Sequence, residues 1–157
     1  MILSKACNYG LRAVIYIAIE RDKTFVSIKE ISEKLDISFH FLTKILQQLT
    51  KKNILMSLKG PRGGVALAHP PEDITMADIV IAIDGPDLFT KCLLGLKDCG
   101  TAEPCPLHAQ WAVIRTQMSN LFTHMTLKKL ADQLQQNQLR LADIVTPLIE
   151  LKHKPIT

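Results

Sequence analysis

The segment 60–64, Gly-Pro-Arg-Gly-Gly, constrains the fold of this chain more than any other feature of its sequence. It separates two short apolar runs, 54–59 and 65–68, and strand-like runs joined by such a loop predict a β-hairpin. The loop is not a nucleotide cradle, because it lacks the Gly-Lys-Ser/Thr ending and does not lie between a strand and a helix. The predicted sheet is therefore a small one.

Helical patterns precede the hairpin. Apolar residues recur at helical spacing over 3–20, after Ser27, and over 38–53. Ser27 and Glu30 have the spacing of a capping box, which predicts the start of the second helix. A break at 36–38 separates the second helix from the third, so the two form a helix-turn-helix. A hairpin that directly follows a helix-turn-helix is a wing.

The second half of the chain continues with helices. A helical pattern over 75–84 stops at Gly85 and Pro86, and Thr126 is expected to cap a last helix. Between them, Pro106 suits the first position of a long helix whose apolar residues repeat every three or four positions. These residues form an apolar face, which we call the seam. We expect the seam to pair with a second copy of the chain in a homodimer, the alternative being that it packs into the chain's own core. The predicted interface residues are Leu107, Trp111, Ile114, Met118, Leu121 and Met125.

These elements predict a mainly α fold with a small β wing, a winged helix-turn-helix joined to a long dimerisation helix. We divide the chain of 157 residues into a winged helix-turn-helix domain, of the kind that binds DNA, over 1–84, a cysteine-containing loop over 85–108, dimerisation and C-terminal helices over 106–135, and a tail over 136–157 that could be flexible. No apolar run approaches the roughly 20 residues needed to span a bilayer, and no secretory signal pattern opens the chain. We therefore expect a soluble, cytoplasmic protein with reduced thiols.

Charge is unevenly distributed along the chain. Residues 1–69 contain eleven Lys and Arg against five Asp and Glu, a net charge of +6. Residues 70–157 contain eight against ten, a net charge of −2. The N-terminal part could therefore bind a polyanion, although a solvated basic face explains the charge alone equally well.

Polar side chains of the third helix point away from its apolar stripe, so its early turns should enter the major groove of double-stranded DNA. Lys44 is expected to meet a phosphate, and Phe39 either contacts a thymine methyl group or packs on the wing. Arg62 at the wing tip suits a narrow minor groove. The predicted DNA-binding residues are Ser38, Phe39, His40, Thr43, Lys44, Gln47, Lys59, Arg62 and Gly63.

Three cysteines, Cys92, Cys99 and Cys105, share one loop with His108 just beyond it. Three thiolates and an imidazole can complete a metal or cluster coordination shell, whereas three cysteines cannot all pair as disulfides. Their gaps of six and five residues are wider than those typical of structural zinc sites. We favour an iron-sulfur cluster over zinc or free redox thiols. A fourth cysteine, Cys7, lies on the apolar side of the first helix and is expected to be structural, the alternative being that it contacts the surroundings of the cluster.

Together, these motifs resemble the Rrf2 family of bacterial regulators, which includes IscR, NsrR and RirA. The resemblance rests on Leu3-Ser4, on 9–13 (Tyr-Gly-Leu-Arg-Ala), on the wing 59–64, on Ile74-Thr75, on the cysteine loop ending in Cys-Pro-Leu-His, on Trp111 and on Thr126-Leu127. It implies a homodimeric winged-helix transcription factor, a repressor in our interpretation. It also implies an iron-sulfur cluster near the dimer contact that changes DNA affinity when it is gained, lost, oxidised or nitrosylated.

The resemblance also bears on the fourth ligand. In IscR-like members a histidine after the third cysteine completes a 2Fe-2S site, and His108 stands at the matching position. Nitric-oxide sensors with a 4Fe-4S cluster use an N-terminal aspartate of the partner subunit, where this chain has Asn8. RirA-like iron sensors share Asn8-Tyr9, so we favour 2Fe-2S and keep 4Fe-4S as the alternative. The signal, whether iron or cluster status, redox state or nitric oxide, stays open, and so does the form that binds DNA.

Three other functions compete with this interpretation. One is a regulator without a cluster, which responds to redox state through thiols or zinc. Another is an iron-sulfur electron-transfer or carrier protein. The third is an adaptor that uses the winged helix to bind other proteins. An enzyme is not expected, because no nucleophile, base and orienting group form a recognisable set. Neither a membrane nor a small-molecule substrate is expected as a partner.

Overall fold

The computed structural model describes residues 2–97, 100, 102–137 and 139–142. Over these residues the chain forms a mainly helical fold with one small antiparallel sheet, which confirms the predicted fold class. In chain order the elements are α1 (Lys5–Ile19), α2 (Ile28–Leu35), α3 (Phe39–Lys51), β1 (Leu55–Leu58), β2 (Gly64–Leu67), α4 (Met76–Asp84), α5 (Asp87–Thr90), α6 (His108–His124) and α7 (Leu127–Asn137).

Helix α1 lies at the centre of the core. Ser4 begins it, because its hydroxyl oxygen accepts a hydrogen bond from the Cys7 amide at 3.0 Å. Cys7, Ala13 and Val14 are completely buried, and α7 adds Leu127, Ala131 and Leu134 to the same core. The chain therefore folds its last described helix back onto its first.

Helices α2 and α3 form the predicted helix-turn-helix. Asp36 ends α2 in the left-handed conformation, with φ of 52°. The predicted capping box at the start of α2 is wrong: within the described chain, the Ser27 side chain makes no cap hydrogen bond. Glu30 instead accepts a hydrogen bond from the Tyr16 hydroxyl at 2.8 Å and another from Lys23. The Glu30 carboxylate, which the local spacing predicts to cap the start of α2, instead forms tertiary contacts with Tyr16 and Lys23.

The wing forms where the glycine-rich loop predicts it. Strands β1 and β2 pair antiparallel, with Leu55 opposite Leu67 and Leu58 opposite Gly64. Val26, from the segment before α2, adds a bridge to Val65 through two backbone hydrogen bonds of 2.8 and 2.9 Å. A Cβ atom on Gly64 would overlap the Val26 carbonyl oxygen, so glycine permits this close approach. The wing is therefore attached to the helix-turn-helix at its base.

The predicted start of the long helix is wrong by two residues. Residues 106–107 form a turn, and α6 begins at His108, whose amide donates to the Cys105 carbonyl at 2.9 Å. Proline at 106 is accommodated before the helix rather than in its first turn. The predicted cap of α7 is confirmed, because the Thr126 hydroxyl accepts a hydrogen bond from the Lys129 amide at 3.2 Å. Among the described helices, none combines the length and the apolar character that crossing a membrane requires.

Candidate nucleic-acid interface and cysteine loop

A cleft of about 580 Å³ lies between α3 and the wing. We refer to it as the cleft. Phe39, Thr43 and Gln47 line it from α3, and Lys59 and Gly63 line it from the wing. The structure thus brings five of the nine predicted DNA-binding residues to one concave surface. The other four, Ser38, His40, Lys44 and Arg62, are solvent-exposed.

The cleft also contains residues that sequence reasoning missed. Lys29 lines it from α2 and Lys51 from the end of α3, so basic side chains occur on several of its walls. Lys29 makes a long ion pair of 3.9 Å with Glu33, and both side chains are well exposed. The clustering of Lys in the first half of the chain was the available signal, but spacing alone does not show that α2 borders the wing. An open cationic surface of this kind suits a phosphate backbone.

Phe39 stands at the first position of α3. Its side chain remains 45% exposed, and its ring meets the His40 ring edge to face at 5.7 Å. It is therefore not buried against the wing, and it stays available to an apolar group in a DNA groove.

Two of the four predicted cluster ligands lie together. The Sγ atoms of Cys92 and Cys105 are 3.7 Å apart, with Cys92 only 6% exposed and Cys105 half-buried. A disulfide would bring these atoms to about 2.05 Å, so Cys92 and Cys105 are not disulfide-bonded to each other. Two thiolates bound at about 2.3 Å to one tetrahedral metal would be about 3.8 Å apart. The observed separation therefore fits two ligands of a single metal atom.

The other two predicted ligands are Cys99 and His108. Cys99 lies outside the described residues. His108 is half-buried at the first position of α6, one turn after Cys105. Within the part of the chain that the structure describes, no group of three or more His, Cys, Asp or Glu side chains is arranged to hold a metal ion. The described geometry thus supports a pair of ligands and leaves the rest of the predicted shell untested.

Helix α6 positions the backbone just before Cys92. The Trp111 indole N–H donates to the Lys91 carbonyl at 3.0 Å. Arg115 Nη1 donates to the Thr90 carbonyl at 3.2 Å and to that of Lys91 at 3.4 Å. The indole N–H of the predicted interface residue Trp111 is therefore used within its own subunit.

The predicted dimer seam on α6 is largely uncovered. Within the described side chains of this helix, only Phe122 is buried. Leu107, Ile114 and Leu121 are 40%, 49% and 54% exposed, whereas Trp111, Met118 and Met125 are half-buried. An apolar face of this length in water is a feature of interaction surfaces.

Cys7 has a different environment from the loop cysteines. It is fully buried, and burial, followed by the nearby Asp84 carboxylate, raises the pKa of its thiol to about 12. Metal ligation needs the thiolate, which this environment disfavours. The predicted structural role of Cys7 is therefore the one that its environment supports.

Comparisons with known proteins agree with this architecture. The model of the family Rrf2, described as iron-dependent transcriptional regulators, matches residues 3–133. An Aquifex aeolicus protein provisionally described as an HTH-type transcriptional regulator is 35% identical over 132 residues, covering 83% of this chain and 91% of the relative. The regulator IscR of Vibrio atlanticus is 29% identical over 130 residues, covering 83% of this chain and 75% of IscR.

Two solved structures illustrate the similarity of fold. CymR, described as the global cysteine regulator of B. subtilis, superimposes with a TM-score of 0.71 at 27% identity, covering 83% of this chain and 95% of CymR. IscR of T. potens superimposes with a TM-score of 0.71 over 88% of this chain and 91% of that protein. Its identity of 22% supports the shared fold alone.

Proposed function

The chain belongs to the Rrf2 family of transcriptional regulators, and from that premise we propose that it is a homodimeric repressor whose cysteine loop holds an iron-sulfur cluster. The relatives and solved neighbours are DNA-binding regulators rather than enzymes. The proposal adds the cluster, the dimer and the link between cluster state and operator affinity. We use the name cysteine loop for residues 91–107.

One observation carries the cluster proposal, namely the 3.7 Å between the thiols of Cys92 and Cys105. Cys92 and Cys105 would bind the cluster together with Cys99, and His108 would complete a 2Fe-2S site; a 4Fe-4S cluster is the alternative. Bound there, the cluster would supply reversible oxidation and loss, which is how such a loop reports iron or cluster status, redox state or nitric oxide. The chain's own part is to hold Cys92 in place through Trp111.

The DNA-binding proposal follows from the cleft. Helix α3 would enter the major groove of the operator with Thr43 and Gln47, and Lys44 would meet the backbone. Arg62 at the wing tip would reach the minor groove. Lys29 on α2 adds a basic group on the same surface. A dimer places two such surfaces on two half-sites, and the exposed face of α6 supports a two-fold contact.

The test is anaerobic purification followed by counts of iron and acid-labile sulfide and by native mass. We expect a dimer with two irons and two sulfides per subunit, falling sharply in His108→Ala. The matched control is His124→Ala, which removes a histidine from the other end of α6 and should leave both counts unchanged. Four irons per subunit that survive His108→Ala would sink the 2Fe-2S assignment. A colourless protein without sulfide would sink the cluster itself.

A second candidate function rests on the same thiol pair. Cys92 and Cys105 are close enough to form a disulfide after a small rearrangement. CymR of B. subtilis is described as the global cysteine regulator, and CymR of Staphylococcus aureus has been solved in an oxidised form. A regulator of this kind would lose two thiols when the metal-free protein meets a mild oxidant. A parallel change in operator affinity, without any iron requirement, would favour this function over the cluster.

A further inference from the structure

Gln48 joins the recognition helix to the end of α4. Its Nε2 atom donates to the Ala82 carbonyl at 3.0 Å and to the Ile83 carbonyl at 3.2 Å. Both carbonyls belong to the last turn of α4, where helical carbonyls have no partner within the helix. Gln48 therefore caps α4 from α3, and its neighbour Gln47 faces the cleft.

Tight packing reinforces this link beside Gly10 of α1. A Cβ atom there would overlap Cδ1 of Ile83 on α4 and come within 3.2 Å of Cγ2 of Ile45 on α3. Three helices thus pack closely at this point. Because close-packed elements transmit displacements, we expect a movement of the end of α4 to affect α3.

The segment 82–91, which we call the connector, leads from that point to Cys92 in the cysteine loop. At Gly85 the backbone turns with φ of 82°, and α5 follows. The Phe89 ring packs edge to face on Phe122 of α6 at 5.6 Å, and the Lys91 carbonyl accepts the Trp111 N–H. The connector is therefore held by α3 at one end and by α6 at the other, directly beside Cys92.

We propose that Gln48 is a positioning residue that couples the state of the cysteine loop, through the connector, to the orientation of the recognition helix. The nature of the loop's occupant rests on the function proposed above. A change at Cys92 that displaces the connector would alter the last turn of α4 and the Gln48 hydrogen bonds. Coupling of this kind is reciprocal, so operator binding must change the affinity of the loop for its occupant. We expect this change to act through the surroundings of Cys92.

The first test compares operator affinity of the anaerobic, cluster-loaded protein with that of the metal-free protein, on duplexes selected by the wild type. We expect the two forms of the wild type to differ by roughly 5-fold or more, and those of Gln48→Leu by less than about 2-fold. Gln48→Lys retains donors for the carbonyls of α4 and should restore the difference. The control Gln136→Leu, at an exposed position on α7, should behave as the wild type. A Gln48→Leu protein that keeps the full difference would overturn the inference.

The second test needs no cluster. In metal-free protein, the rate at which iodoacetamide alkylates Cys92 is followed by peptide mass spectrometry with and without operator DNA. Operator should change this rate in the wild type and in Gln48→Lys, and leave it unchanged in Gln48→Leu. An operator effect that is absent from the wild type, or that persists in Gln48→Leu, overturns the role of Gln48. Equal affinities of the loaded and metal-free wild type would instead overturn the proposed function, so the two failures are distinguishable.

Discussion

Glu30 joins three parts of the DNA-binding half of the molecule. It lies on α2, accepts the Tyr16 hydroxyl of α1 and pairs with Lys23 in the intervening segment. Its local spacing from Ser27 predicts a helix cap, yet these tertiary partners supply stronger, charge-assisted hydrogen bonds. A two-residue capping motif therefore does not determine the partners of a carboxylate, because folding brings other hydrogen-bond donors close to it.

The same contacts predict a pH dependence of stability. Partial burial raises the pKa of Glu30, but the hydrogen bonds from Lys23 and Tyr16 outweigh it and hold the pKa below its ordinary value of 4.5. Because the folded-state pKa is depressed, the stabilisation is complete above the unfolded value and is lost as pH falls through the folded value. Wild type should therefore exceed Glu30→Gln in free energy of unfolding by on the order of 1 kcal/mol near neutral pH.

Urea unfolding of both proteins across a pH series provides the measurement. The difference between them should shrink as pH falls below 4.5. Asp132 also has a lowered pKa, through hydrogen bonds from Lys128 and Arg21, but it is present in both proteins and cancels. A difference that stays constant over the whole series would contradict the prediction.

Gly64 supports a second prediction at the scale of a single residue. Replacing it by Ala would force Cβ into the Val26 carbonyl, a backbone atom that cannot rotate away. We expect Gly64→Ala to reduce the free energy of unfolding by about 1–3 kcal/mol, measured from urea midpoints. Ser57→Ala, at an exposed position on β1, is the control and should stay within about 0.5 kcal/mol of wild type. Equal loss in both variants would show that the bridge to Val26 is not the cause.

At the scale of elements, the sequence predicts which helices and strands form better than it predicts where they begin. The wing and α7 follow from a glycine-rich loop and a capping threonine, both of which act over a few residues. The start of α6 differs from the prediction because the favoured position of proline competes with a turn that closes on the Cys105 carbonyl. Gln48 and Ala82 are 34 positions apart, so no pattern in the sequence reveals their hydrogen bond.

For the candidate site, the sequence predicts which residue types take part but not how far apart they lie. Soft ligands in one loop indicate a metal or cluster, but the 3.7 Å between Cys92 and Cys105 depends on how α6 positions the backbone at Lys91. The basic wall that Lys29 adds to the cleft depends on the bridge between Val26 and Val65, which joins distant segments. Residue chemistry is local information, whereas relative placement is a property of the packed core.

Helix α6 offers a direct test of the proposed dimer. Leu121 is 54% exposed in the isolated subunit, so Leu121→Glu should fold normally while placing a carboxylate in the apolar seam. We expect the native mass to fall from dimer to monomer, measured by native mass spectrometry, with weaker operator binding. Thr116→Glu introduces the same charge at an exposed position away from the seam and should remain dimeric. A Leu121→Glu protein that stays dimeric would place the interface elsewhere.

At the scale of the whole molecule, charge separates along the chain. The net +6 of residues 1–69 belongs to the part that forms the helix-turn-helix and the wing, whereas residues 70–157 are net negative. The cleft therefore faces a polyanion with favourable long-range electrostatics, and the α6 side carries no such excess. The cleft and the cysteine loop are formed by different elements, so the coupling proposed between them would pass through the packed helices.

The excess of positive charge in residues 1–69 predicts that the affinity for operator DNA depends on salt concentration. Fluorescence anisotropy with an operator duplex over a salt series should give a linear fall of log K with log salt concentration. Lys44→Ala should reduce the magnitude of the slope by about 1, because one phosphate contact is lost. Lys128→Ala, on α7 in the net negative half, should leave the slope unchanged. Equal effects of both substitutions would indicate non-specific attraction rather than a defined phosphate contact.

Arg12 ties the far end of the described chain to the helix-turn-helix. Its Nε donates to the Leu141 carbonyl at 2.8 Å and its Nη2 to the Leu35 carbonyl at 2.9 Å, while Ala142 is buried in the core. The family match ends at residue 133, so a protein shortened to that boundary would deprive Arg12 of one acceptor. For biosensor engineering, a fluorescent reporter should accordingly be fused beyond residue 142, where it leaves both Arg12 hydrogen bonds intact.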